Sequence, residues 1–260
     1  MKQILVTNDD GVRSEGLHAL AKALTHLGSV TIVAPQTEAS AIGHALTLRR
    51  PLRMELLSNG VYEVDGTPTD CVNIAITQLY KPQSGRLPDL VVSGINKGYN
   101  LGDDVTYSGT VAGALEGALL GIPSVAVSLE RCADQYDFSA AAAAGAQVAE
   151  LVLTQGLTAR TFLNVNVPRG RPKGLRVTFQ AKRNHITVVS ERLDPRDRPY
   201  YWIEEGEDEW EPHDRSDYQA VKDGYVSVTP LQPDLTAYDE ISRMEALIAA
   251  AISARAQLPR

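Results

Sequence analysis

Apolar positions along this chain follow two alternating periods. Short, largely apolar runs, of the kind a buried strand needs, lie at 2–7, 30–34, 90–93, 124–129 and 162–167. Between them the spacing turns helical. Leu17, Leu20, Ala21, Leu24 and Leu27 predict a helix over 15–27 that Gly28 ends. Further helices are predicted over 70–80, over the small residues 110–120 and over the alanine-rich stretch 138–153. Strand, helix and strand packed into the first segments predict a βαβ unit with parallel strands. Residues 46–57 and 61–64 read as a hairpin around Ser58-Asn59-Gly60, and 35–44 as a polar loop. The fold class is therefore α/β, a mostly parallel sheet with flanking helices.

The pattern breaks near Lys182. Residues 182–217 are charged and rich in proline and aromatics, as in RDRPYYWIEEGEDEWEPHDR, and predict an extended hairpin outside the core. A strand returns at 225–229. A final helix from Leu235 places Ile241, Met244, Ile248 and Ile252 on one face. The expected organisation over 1–260 is one domain. Its core spans about 1–180 and 218–232, with a hairpin appendage at 182–217 and a helical arm at 233–260.

Composition narrows the function classes. A net charge of -7 with no basic stripe argues against binding nucleic-acid duplexes. Cys71 and Cys132 lack metal-ligand spacing, so reduced thiols in a cytoplasm are expected. No segment approaches the ~20 apolar residues that span a membrane, and the N-terminus has no signal-peptide pattern.

The chemistry gathers in three loops. In ILVTNDDGV, residues 4–12, the first strand runs into Asn8, Asp9 and Asp10. At about 5 Å and an effective dielectric near 20, the two acids repel by roughly 3 kcal/mol, so water or a cation should offset them. Ligands of open parallel sheets collect at the carboxyl ends of strands, where these acids lie. The glycine-rich loop 94–110, GINKGYNLGDDVTYSGT, leaves a later strand at the same edge with Asn96 and Asn100. It ends in Ser108-Gly109-Thr110 at a helix start, a natural phosphate cradle. Ser40 lies in the loop QTEASAIGHAL, which could reach the same edge. These are hard oxygen donors, suited to Mg²⁺, Mn²⁺ or Ca²⁺ rather than a closed zinc site. Metal-assisted hydrolysis of a phosphoester follows as the expected chemistry. A strand followed by Asp-x-Asp-Gly would suggest a phospho-aspartate route, but its first position here is Asn8, a poor nucleophile. His44 is a candidate proton donor or phosphate contact. Thr69 and Asp70 are candidates for the pocket wall, or only a turn and a helix cap. A nucleotide or metal sensor without turnover needs the same groups, so binding alone does not separate the two.

The stretches ILVTNDDG at 4–11, Ser40 with GHALTL, DGTPTDCV at 65–72, SGINKGYNLGDDVTYSGTVAGALEG at 93–117 and GYVSVTPLQPDLT at 224–236 resemble the SurE family, stationary-phase survival proteins that are metal-dependent 5'/3'-nucleotidases. The resemblance implies a Rossmann-like core and a cytoplasmic enzyme that hydrolyses nucleoside monophosphates, with some activity on other phosphoesters or short polyphosphate. It implies one divalent ion per subunit, Mg²⁺ or Mn²⁺, held by Asp9, Asp10, Ser40 and Asn96. Its phosphate-proximal loop falls on Asn100, Ser108, Gly109 and Thr110, and Asn8 beside the acids is a further candidate phosphate contact. It further implies a homodimer or homotetramer in which the C-terminal arm embraces a neighbour. Two departures from the family pattern stand out, Ser14-Glu15 after the first motif and Arg215-Ser216 before Asp217.

Overall fold

The computed structural model describes residues 1–133, 135–184, 187–205 and 209–256. In chain order the first half holds β1 (Lys2–Thr7), α1 (Glu15–Leu24), β2 (Gly28–Pro35), β3 (Met54–Leu56), β4 (Tyr62–Val64), α2 (Pro68–Ile74), α3 (Lys81–Ser84), β5 (Leu90–Lys97) and α4 (Gly109–Leu119). Then come β6 (Ser124–Leu129), α5 (Ser139–Gln155), β7 (Phe162–Val167), β8 (Leu175–Val177), β9 (Arg183–Asn184), β10 (Thr187–Leu193), β11 (Pro199–Glu205), β12 (Glu209–Trp210), α6 (Asp217–Lys222), β13 (Val226–Leu231) and α7 (Tyr238–Ala256). Nine of these strands form one sheet, in the order β3-β4-β2-β1-β5-β6-β7-β13-β8. β4, β2, β1, β5, β6 and β7 run parallel; β3 and β13 enter antiparallel.

The apolar runs work because each strand is buried on both faces. Ile4 and Val6 of β1 pack with Leu17, Leu20 and Leu24 of α1 and Val148 and Val152 of α5. Leu5 faces the other way, onto Cys71, Val72 and Ala75 at and just beyond α2. α4 covers that second face further along, through Val111, Ala114 and Ala118. It lies close because its sheet side is glycine: a Cβ on Gly117 would sit 2.2 Å from Ser124 Oγ, and one on Gly113 would sit 2.8 Å from Ser93 Oγ. Strand order reverses between β1 and β5, since β2 lies on one side of β1 and β5, β6 and β7 on the other. That is where an open sheet leaves a crevice for a ligand.

Several expectations shift. The first helix stops at Leu24, and Gly28 opens β2 instead of closing the helix. Gly28 lies against the neighbouring strand, where a Cβ would be 2.4 Å from the Lys2 carbonyl oxygen. Of the strand expected over 46–57 only β3 pairs. Pro51 has no N–H for a ladder, and the Arg50 guanidinium is spent on the Asp65 carbonyl instead. The helix expected over 70–80 begins at Pro68 and turns π-helical from Ala75–Tyr80. β5 continues to Lys97, so the loop of the central motif begins later than its glycines suggested. β8 and α6 carry too few residues to stand out as periodic. α6 nevertheless has a readable start, because the Ser216 hydroxyl accepts from the Gln219 N–H at 3.1 Å.

The charged stretch contains an antiparallel hairpin, β10 with β11, and a second short pair, β12 with β9. The hairpin leaves Tyr201, Trp202 and Ile203 exposed, and α7 exposes Ile241, Met244, Ile248 and Ile252.

Candidate active site

β1 delivers Asn8, Asp9 and Asp10 to the crevice, and the N-terminus of α4 meets them there. Asp9 is buried, 4 % exposed. Its carboxylate accepts a hydrogen bond from the Thr110 hydroxyl. Gly109 lies directly against it; a Cβ there would be 2.7 Å from Asp9 Cβ. Burial pushes the Asp9 carboxyl up to about 6, with the Asp10 charge adding to the rise and the Thr110 bond opposing it. Asp10 is more open. Its carboxyl is raised by burial, pulled back by the Lys97 ammonium and pushed up again by Glu38. Three acids thus share one corner with one cation. Beside them the side-chain oxygen of fully buried Asn8 has no hydrogen-bond partner, while its amide nitrogen donates to the Gly11 carbonyl at 3.0 Å.

The remaining candidates divide. Ser108 caps α4, accepting from the Val111 N–H at 3.1 Å; the Thr110 N–H is turned to the Asp9 carboxylate, and the Gly109 N–H lies at the positive end of the helix. Asn96, at the end of β5, donates from its amide nitrogen to the Gly98 carbonyl at 3.1 Å. The loop carrying Ser40 does reach the site: the Ala39 N–H donates to the Asp9 carbonyl at 2.8 Å. The Ser40 hydroxyl itself is turned to Glu38, at 2.6 Å. Asn100 is built into a buried polar knot. Its amide nitrogen donates to Ser128 Oγ at 2.8 Å, its N–H to Asn166, and its carbonyl accepts from Asn164 and Asn166. It fixes the loop from within.

His44 pairs with Glu116 at 2.7 Å, and Asn73 donates to the other Glu116 oxygen at 2.7 Å. Asp70 forms a capping box with Thr67 and also takes the Thr47 N–H at 2.9 Å, so it ties a loop down. Thr69 is buried next to it, and its hydroxyl has no partner.

The family model "Survival protein SurE" matches residues 4–187. The chain belongs to the SurE family. A protein of Geotalea daltonii named 5'-nucleotidase SurE is 52% identical over 243 residues, covering 92% of this chain and 96% of its own. One of the same name from Geobacter sulfurreducens is 51% identical over 245 residues, covering 93% and 92%. The crystal structure of the SurE protein from Aquifex aeolicus superposes with a TM-score of 0.82 at 44% identity, covering 94% of this chain and 98% of that one.

Lys97, Ser14 and Glu38 were not among the residues expected at the site, yet all three act on Asp10. Lys97 contributes its charge and an N–H, and the Ser14 hydroxyl lies 3.5 Å from the carboxylate. Ser14 stands at the departure noted in the sequence, and no local spacing links it to Asp10 except the helical register of one turn. Among the described residues, no three His, Cys, Asp or Glu side chains are grouped to hold a metal.

Proposed function

We infer that the chain is a 5'-nucleotidase that hydrolyses nucleoside monophosphates to nucleoside and inorganic phosphate. The observation that carries this is Asp9, buried beside Asp10 and seated against the open N-terminus of α4. It occurs in a chain half identical, over almost its whole length, to proteins named 5'-nucleotidase.

A divalent cation fits the residues present. Asp9 and Asp10, with the side-chain oxygens of Asn96 and Ser40, offer hard donors, and the unpartnered Asn8 oxygen marks a spot where positive charge is wanted. Mg²⁺ or Mn²⁺, one per chain, is our reading. When bound, such an ion supplies Lewis-acid charge to the phosphoryl oxygens.

The chain's own groups do the rest. The Gly109 N–H and the helix dipole receive a phosphoryl oxygen, and the missing side chain at Gly109 lets it approach. Asp10 is the more open acid and is not tied to Thr110, so it takes the proton of the attacking water. The water oxygen bonds to phosphorus as the bond to the nucleoside oxygen breaks; Asp10 keeps the water's proton, and the departing oxygen takes a proton from solvent. Asp9, locked by Thr110, stays fixed as an acceptor.

Self-association as a dimer or tetramer fits the exposed apolar faces of α7 and of the β10–β11 hairpin. Two unpaired cysteines fit a cytoplasmic setting. Among the described residues no helix is long and apolar enough to cross a membrane.

The test is direct. Metal-stripped protein is incubated with 5' and 3' nucleoside monophosphates, with and without Mn²⁺ or Mg²⁺, and free phosphate is measured. Metal-dependent release is expected. Tight nucleotide binding with no release under any metal would make the protein a sensor and overturn the reading.

A further inference from the structure

A pocket of about 400 Å³ is lined in part by Glu38 and Ala39, which also adjoin the acid pair, and the phosphoryl site does not use it. One wall is the loop after β2, with Gln36, Glu38, Ala39 and Ile42; the other carries Arg50 and Asp65. Ala39 joins the two spaces. Its N–H holds the Asp9 carbonyl, and its own carbonyl oxygen lies 3.2 Å from where a Gly109 Cβ would be. A molecule with its phosphoryl group at the start of α4 therefore has its remainder beside this cavity.

The lining suits one kind of remainder. Arg50 is half-exposed and pairs with Asp65, whose carboxylate lies 3.2 Å from one guanidinium nitrogen and whose carbonyl takes an N–H from another. A planar guanidinium can stack on a base and still donate from its edge. Ile42 offers an apolar surface, Gln36 an amide, and Glu38 a carboxylate that already accepts one hydroxyl, that of Ser40. A nucleoside needs this combination: an apolar face, a donor–acceptor edge and sugar hydroxyls. The volume is within the range of small-molecule sites, roughly 300–1,000 Å³, and far exceeds what a simple alcohol fills. Glu38 and Asp65 also make it hostile to a second phosphate. The walls are held in place. Thr47 is tied to Asp70, and His44, between the two walls in sequence, is tied to Glu116.

We propose that this cavity takes the nucleoside half of the substrate, and that Arg50 sets the preference for a nucleoside monophosphate over smaller phosphoesters and over polyphosphate. The proposal rests on the nucleotidase reading above and deepens it.

Two measurements test it. The first is the ratio of kcat/KM for AMP to that for phenyl phosphate, in the metal-loaded wild type and in Arg50→Met. Base stacking of this sort predicts a fall in the ratio of roughly 10-fold or more, carried mainly by KM for AMP. The second is calorimetric binding of adenosine to the metal-stripped protein, which should weaken by a similar factor. If Arg50→Met does not fold, because Asp65 loses its partner, Ile42→Glu puts a carboxylate into the same cavity and should lower the same ratio. A folded variant with an unchanged ratio and unchanged adenosine binding overturns the proposal. So does a wild type that cleaves phenyl phosphate as efficiently as AMP, and in that case the phosphatase reading survives. Cleavage of neither ester by the wild type overturns the nucleotidase reading itself.

Discussion

Asp9 and Asp217 are both buried acids whose surroundings differ. Asp217 opens α6, is wholly buried, and accepts three backbone N–H groups: Gly102 at 3.0 Å, Ala181 at 2.8 Å and Tyr218 at 2.8 Å. Burial raises its carboxyl, and the three bonds pull it back. Its charge is met by the protein and works as a clamp between the glycine-rich loop and the root of the charged excursion. Gln180 reinforces the clamp by donating to the Gly102 carbonyl at 2.9 Å. Asp9 has the Thr110 hydroxyl, weaker help from the Thr110 and Asp9 N–H groups, and a second acid alongside. A buried charge supplied with donors is architecture. Both acids also feel a like charge, Asp104 at Asp217 and Asp10 at Asp9, but at Asp9 that charge is the adjoining acid of the same corner, the place a cation would offset.

The contrast can be broken by mutation, and the largest effect should fall on the incomplete acid. Asp9→Asn removes a donor for the cation and should lower metal-dependent phosphate release by about 10³-fold or more, since such an ion supplies several kcal/mol at the transition state. Full turnover in this variant would contradict the assignment. Thr110→Val deletes only the hydroxyl that orients Asp9; a loss of roughly 10–100-fold in kcat is expected from steady-state assays. Asp217→Asn should behave in the opposite sense. Its amide nitrogen cannot accept, so either Gly102 or Ala181 loses its partner, and chemical denaturation should report a loss of about 1–3 kcal/mol. Metal affinity should stay near the wild-type value.

The smallest effect is in pH dependence. The folded Asp9 carboxyl titrates at about 6, above the usual 3.8. The protonated form is therefore favoured by folding, and its stabilising contribution is present below 3.8 and lost as pH rises through about 6. The melting temperature of the metal-free protein should fall across that interval, and Asp9→Asn should flatten the fall. An equally steep profile in the variant would remove Asp9 as its source.

The two acids also differ in how far the sequence exposes them. Asp9 was legible because it ends a strand at the carboxyl edge, and period and position are local facts. Gly109 and Thr110 were legible for the same reason, as the first residues of a helix after a glycine-rich loop. Asp217 was not, because it acts on Gly102 across 115 positions of chain. Glu116, which holds His44, and Lys97, which faces Asp10, were likewise chosen by packing between elements. The local mistakes have local causes. Gly28 looked like a helix stop, but it is a contact between strands.

The central claim is that the Asp9–Asp10 corner lacks positive charge which a divalent ion provides. Calorimetric titration of Mn²⁺ into metal-stripped wild type, Asp9→Asn and Asp217→Asn tests it most directly. The account predicts one site per chain in the wild type and in Asp217→Asn, and its loss in Asp9→Asn. Undiminished Mn²⁺ binding in Asp9→Asn, or equal loss in Asp217→Asn, would contradict it.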